Sequence, residues 1–231
     1  QRNLSPNSIA TYRDTFRLLL LFYDTEKHIK PNLLTLDMLN VQQIEDFMLW
    51  LKKERNCGAS TCNQRLGALK SFFRYLQFAL PDCALQCQEN LAIRPMKQPE
   101  PGLKYLTIDG IKLLLEQPDI KTKYGRRDLA ILSLMYDTGA RVQEIADIKI
   151  VHIRFSAPAT IRITGKGDKT RVVPLLSRTE DILKQYIKDF KIDAGGNDAY
   201  LFQNRSGQQL SRFGISYILT KYADMARKVH P

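Results

Sequence analysis

The sequence predicts a mainly α protein with one small β-hairpin or sheet, divided into two domains. Three observations carry that prediction. Apolar residues recur at helical spacing through most of the chain, the period switches to strict alternation near residue 160, and a stretch rich in proline and glycine separates two patterned halves. That stretch covers residues 94–104 and holds Pro95, Pro99, Pro101 and Gly102. The domains are therefore read as residues 1–93 and 105–231, with a linker between them.

In the first half a helix is expected from Ser5 to Ser8 onward, with Pro6 suited to its first turn and Tyr12, Phe16, Leu19 and Tyr23 turned inward. A second follows Asp37 as its cap and carries Leu39, Ile44, Phe47 and Leu51. A third begins after Gly58 and Ser60 and faces the core with Leu66, Leu69, Phe73 and Leu76, and a short fourth covers residues 83–91. On the third helix Thr61, Asn63, Gln64, Lys70 and Arg74 fall away from the apolar stripe. Such a face suits a DNA groove, and it equally suits an ordinary solvated surface.

In the second half Thr107 caps a helix through Glu116. A buried helix over 127–137 carries Leu129, Ile131, Leu132, Leu134 and Met135, and Thr138 and Gly139 interrupt it. A new helix over 141–148 places Arg141 at its start, where free N–H groups favour an anion. Ile161 and Ile163 then alternate with Thr160, Arg162 and Thr164. The turn 165–168 leads to a strand over 170–175, marked as an edge by Pro174. Lys166 thus stands at a hairpin tip between two glycines. Helices over 179–192 and 211–228 follow, separated by Gly195-Gly196 and the loop 204–207.

The net charge of +11 points to a polyanionic partner. Both halves share it: residues 1–104 hold 14 Lys and Arg against 10 Asp and Glu, and residues 105–231 hold 21 against 14. Two basic domains are expected to clamp a duplex, each neutralising phosphates and releasing counterions. No apolar run approaches the roughly 20 residues of a membrane helix, and the first 15 residues lack signal-peptide anatomy, so a cytoplasmic protein is expected. Cys57, Cys62, Cys83 and Cys87 have no histidines near them and read as reduced thiols rather than a zinc site.

Two segments carry a resemblance. Arg126-Arg127-Asp128-Leu129-Ala130-Ile131 leading to Tyr136-Asp137-Thr138-Gly139-Ala140-Arg141-Val142-Gln143-Glu144-Ile145 resembles the first arginine box of the tyrosine recombinases, the phage integrase and Xer type. Gly165-Lys166-Gly167-Asp168-Lys169-Thr170-Arg171-Val172-Val173-Pro174-Leu175 is similar to their catalytic-lysine hairpin. The resemblance implies a helical SAM-like core-binding domain followed by an α+β integrase catalytic domain, here incomplete. It implies a DNA strand breaking and rejoining enzyme without metal or nucleotide cofactor, working through a 3′-phosphotyrosyl intermediate. Arg141 matches the guanidinium that stabilises the charged transition state, and Lys166 the acid that protonates the leaving 5′-oxygen. Glu144, three residues on, would buttress Arg141 or hold another basic group in place; a simple surface pair is the alternative. The DNA contacts are expected from Thr61, Asn63, Lys70, Arg74, Lys169, Arg171 and Arg212.

In the resembled family a His-x-x-Arg box and the nucleophilic tyrosine follow the region that ends here in Met225-Ala226-Arg227-Lys228-Val229-His230-Pro231. None of the ten tyrosines follows such a box, so none is assigned as nucleophile, and His230 receives no catalytic role. The expectation is a fragment that binds its site as a monomer and does not cut, the complete protein forming a tetramer on DNA in a bacterium, a phage or a mobile element. A naturally short regulator of a recombination site and a type IB topoisomerase relative stay open as alternatives.

Overall fold

In the computed structural model the chain is described over residues 5–98, 106–192, 196 and 198–229. Pro99, Pro101, Gly102, Gly195, His230 and Pro231, which enter the sequence reading, lie outside the described residues. The chain forms two compact units, residues 1–102 and 103–231.

Among the described residues the first unit holds four α-helices joined by short 3-10 turns. Helix α1 (Pro6–Glu26) is capped by the Ser5 hydroxyl, which accepts from the Ser8 N–H at 3.3 Å, with Pro6 in the first turn as its fixed φ favours. It buries Leu19, Phe22 and Tyr23, while Tyr12 and Phe16 are only half-buried. Asp37 does not cap the second helix. It sits in a short 3-10 turn, Leu36–Met38, and the cap of α2 (Val41–Lys53) lies three residues later at Asn40, whose side chain accepts from the Gln43 N–H at 3.0 Å. Helices α3 (Ala59–Ala79) and α4 (Ala84–Ala92) complete the unit. Leu19, Ile44, Phe47, Leu51, Leu66, Leu69 and Phe73 fill one core. The Tyr23 hydroxyl donates to the Met38 carbonyl at 2.6 Å, and burial holds its pKa up at about 12.

The second unit packs helices around a three-stranded antiparallel sheet of order β1-β2-β3. Helices α5 (Ile108–Glu116) and α6 (Lys123–Thr138) lead into the five-residue α7 (Val142–Ala146). Strands β2 (Thr160–Thr164) and β3 (Thr170–Pro174) form the expected hairpin, and β3 is an edge, as Pro174 requires. The two-residue β1 (Ile153–Arg154) adds to the other side of β2. Helices α8 (Ser177–Phe190) and α9 (Arg212–Val229) close the unit. Ile161 and Ile163 face a core shared with Ile131, Leu134, Ile145, Leu183, Phe202 and Ile215. Leu129 and Met135, expected inside, are half-buried.

Candidate nucleic-acid interface

The site grows from a break in the helical path. Gly139 ends α6 with a left-handed φ of 58°, a conformation that costs a glycine little, and the chain turns so that Arg141 becomes the N-cap of α7. Ala140, Ile145 and Ala146 are buried, which anchors this turn in the core and leaves the Arg141 side chain 77% exposed. Its backbone N–H donates to Glu144 Oε2 at 3.0 Å and its Nη1 to Glu144 Oε1 at 3.0 Å. One edge of the guanidinium is thereby fixed, and the remaining N–H donors face solvent.

Glu144 is the hub. Its side chain is only 5% exposed, and Oε2 also accepts from Arg171 Nη2 on β3 at 2.8 Å. Together Arg171 and Arg141 hold the carboxyl at a pKa of about 2, against the desolvation that would raise it. Glu144 thus accepts from both Arg141 and Arg171 at once.

The hairpin seats on the same carboxylate. A Cβ added at Gly165 would lie 2.7 Å from Glu144 Oε1, so only glycine lets the base of the turn approach this closely. Gly165 N–H donates to the Lys169 carbonyl at 2.9 Å, and Gly167, with φ of 74°, completes the turn. Lys166 and Lys169 project from it as exposed cations. The backbone carrying Lys166 and the guanidinium of Arg141 thus bear on one buried acid. Arg212 stands exposed at the first turn of α9 in the same unit.

Other expected contacts are placed differently. Arg171, half-buried, spends a donor on Glu144 instead of standing free as Lys169 does. In the first unit Asn63 Nδ2 donates to the Met96 carbonyl at 2.9 Å and its Oδ1 accepts from the Met96 N–H at 2.7 Å. Lys70 Nζ donates to the Ile93 carbonyl at 2.6 Å. These two side chains tie the segment after α4 back onto α3. Thr61 is half-buried and Arg74 exposed. Among the described residues no group of three or more His, Cys, Asp or Glu is disposed to hold a metal, and no described helix is long and apolar enough to cross a membrane. The four cysteines are free thiols, and burial pushes those of Cys62 and Cys87 up.

Sequence reading missed the buried network behind the site. Arg127 Nη2 pairs with Asp128 Oδ1 at 2.7 Å, its Nη1 donates to the Gln203 carbonyl, and the Tyr222 hydroxyl donates to Asp128 Oδ2 at 3.0 Å. This network ties α6 to α9. The only advance signal was the charged pair Arg127-Asp128 within an otherwise apolar helical stripe. Tyr222 is buried, and desolvation together with Asp128 pushes its phenol pKa up, the opposite of an activated nucleophile.

A helical unit followed by an α+β unit, with an N-cap arginine and a glycine-flanked lysine hairpin seated on one buried glutamate, defines an integrase-type chain. The phage integrase family profile matches residues 104–231, and the profile of the phage integrase N-terminal SAM-like domain matches residues 1–78. The chain belongs to the phage integrase family, the tyrosine recombinases. It is 34% identical over its whole length to the integrase/recombinase y4rC of Sinorhizobium fredii, of which it covers 69%. It is 31% identical over 95% of its length to the tyrosine recombinase XerD of Listeria innocua, of which it covers 72%. In fold it is similar to the XerH site-specific recombinase bound to its difH substrate, with a TM-score of 0.70 at 21% identity over 98% of this chain and 64% of that one. It is also similar to a lambda integrase dimer bound to a core site, with a TM-score of 0.68 at 15% identity over 98% of this chain and 76% of that one.

Proposed function

We propose that this chain binds duplex DNA in site-specific recombination, each unit taking hold of the duplex through its own basic residues, as a clamp would. Arg141 and Lys166 meet at the scissile phosphate, and Lys169, Arg212, Thr61 and Arg74 contact the duplex around it. A tyrosine outside these 231 residues attacks the phosphorus, forming a 3′-phosphotyrosyl bond. The P–O5′ bond breaks as Lys166 delivers a proton to the departing 5′-oxygen. Arg141 neutralises charge gathering on the non-bridging oxygens. The observation that carries this reading is the exposed Arg141 guanidinium, fixed along one edge by Glu144 while the Lys166 hairpin rests on the same carboxylate.

The 231 residues are expected to bind as a monomer and not to cut. Binding to a fluorescent duplex is expected to weaken steeply with salt, each phosphate contact contributing about 0.9 to the slope of log affinity against log salt. Arg141→Ala and Lys166→Ala each reduce that slope by about one contact. On a nicked duplex no detergent-resistant adduct forms. Unchanged slopes in both variants would refute the phosphate roles, an adduct would show a nucleophile within the chain, and a stable dimer in sedimentation without DNA would refute the monomer.

A further inference from the structure

A small cavity of about 200 Å³ opens between three helices of the second unit, walled by Ile111 and Leu115 of α5, Leu129 of α6 and Ile182 of α8. Two hydroxyls stand in this apolar lining: Ser133 on α6, 5% exposed, and Thr179 on α8, 4% exposed. Thr15 and Thr138, on other helix faces, each donate to the carbonyl four residues back. Among the described residues Ser133 and Thr179 have no such partner, nor any other. Polar groups this deep are ordinarily hydrogen-bonded, so two left open on facing helices mark a place for a polar ligand atom. Lys112 and Arg178 line the same cavity, and among the described residues no Asp or Glu does. Lys112 lies 3.6 Å from the exposed Asp109, and Arg178 has no ion pair among the described residues. None of Arg141, Glu144, Lys166 and Arg171 lines the cavity, so it is no part of the site built on Glu144.

We infer that this cavity binds a small amphipathic carboxylate, whose head accepts from Ser133, Thr179 and Arg178 and whose aliphatic body lies against Ile111, Leu115, Leu129 and Ile182. The head is an anion because the polar groups available to it are donors and the cations are unopposed, and a guanidinium fork matches the two oxygens of a carboxylate. The body is short because 200 Å³ falls below the roughly 300–1,000 Å³ of a site for a drug-sized molecule. The opposing possibility is an acidic side chain from a second copy of the chain, with Ile108 and Leu176, 70% and 57% exposed, supplying the packing. An Asp or Glu side chain has too few carbons to cover the apolar walls, which favours the free acid. The inference does not depend on the DNA reading of the preceding section.

The test titrates sodium octanoate into the whole chain at pH 7, with binding read by saturation-transfer NMR. Octanol keeps the chain without the charge, acetate keeps the charge without the chain, and each is expected to bind at least about tenfold more weakly than octanoate. Arg178→Ala and Thr179→Val each weaken octanoate by about tenfold, and Arg178→Ala leaves octanol unchanged, which separates a charge contact from a packing defect. Lys188→Ala, which removes an exposed cation of α8 outside the cavity, leaves octanoate binding unchanged. Arg178 is itself exposed, so its variant keeps the fold. If octanoate does not bind, or binds no better than octanol, the inference is overturned. Equal losses in Arg178→Ala and Lys188→Ala would reduce the binding to general attraction by a basic surface and overturn it as well. If octanoate fails to bind while Arg178→Ala abolishes a self-association seen in sedimentation, it is overturned in favour of a second copy.

Discussion

Replacing Glu144 with glutamine removes the charge at the hub while preserving its size. In the folded chain the carboxyl titrates near 2 against 4.5 for an unperturbed glutamate, because Arg171 and Arg141 donate to it. A depression of that extent corresponds to about 3 kcal/mol of stability. The two guanidiniums are 40% and 77% exposed, so solvent screening brings the expected figure to ~2 kcal/mol. A carboxylate whose pKa is depressed by folding stabilises fully above its unfolded value, and that stabilisation is lost as pH falls from 4.5 toward 2. At pH 3 the wild-type advantage over Glu144→Gln is therefore expected to drop to less than about half its value at pH 7. Urea denaturation followed by circular dichroism should show the second unit unfolding at roughly 1 M less denaturant in the variant at pH 7. Trp50, the sole tryptophan and part of the first unit, supplies an internal control, and its fluorescence transition should stay in place. Equal displacement at pH 7 and pH 3, or a shift in the Trp50 transition instead, would refute the electrostatic account of the hub.

Two further substitutions separate structure from DNA contact. Gly165→Ala places a Cβ 2.7 Å from Glu144 Oε1, an atom already held by Arg141, and is expected to destabilise the second unit by about 1–3 kcal/mol. Gly167→Ala meets open space and carries only the strain of its positive φ, so a thermal melt no worse for position 165 than for 167 would contradict the close-approach argument. Asn63→Ala loses both hydrogen bonds to Met96 and should lower the Trp50 unfolding midpoint by an amount worth about 1–3 kcal/mol, with the salt slope of DNA binding unchanged. A reduced slope at full stability would return Asn63 to the duplex.

Periodicity made most helices and the hairpin legible, because burial on one face leaves a regular mark on the sequence. The start of α2 was misplaced since Asp37 and Asn40 are both good caps, and only the Asn40 side chain reaches an N–H three residues on. Strand β1 left no signal, for two residues are too few to show alternation. The polar face of α3 illustrates a deeper limit. Asn63 and Lys70 look solvated when only their own helix is considered, but their partners lie 33 and 23 residues away, Met96 inside the stretch whose prolines suggest a linker and Ile93 at its edge. The partner of Arg171 is hidden from the sequence in the same way, its acceptor being 27 residues back on another element. Glu144 was legible because its partner Arg141 is three residues away on the same face, where local spacing does predict contact.

The exposure of the partners shows which way the support runs in the hub. A pair retained purely for stability tends to be weak when exposed and needs both charges compensated when buried. Here the acid is 5% exposed and Arg141 77%, so the acid is compensated while the base is not. Glu144 has its charge answered twice, by Arg141 and by Arg171, which leaves the three groups together with one net positive charge directed outward. Lys166 and Lys169 add to that charge from the turn resting on Glu144. The rigidity comes from the buried side, from Ala140 and Ile145 at 6% and 0% exposure, while the unspent donors are on the exposed side. An arrangement in which a fixed carboxylate orients cations that it cannot neutralise is suited to receive an anion whose own oxygens complete the charge balance. Removing Glu144 therefore ought to loosen the aim of Arg141, although it increases the positive charge of the site.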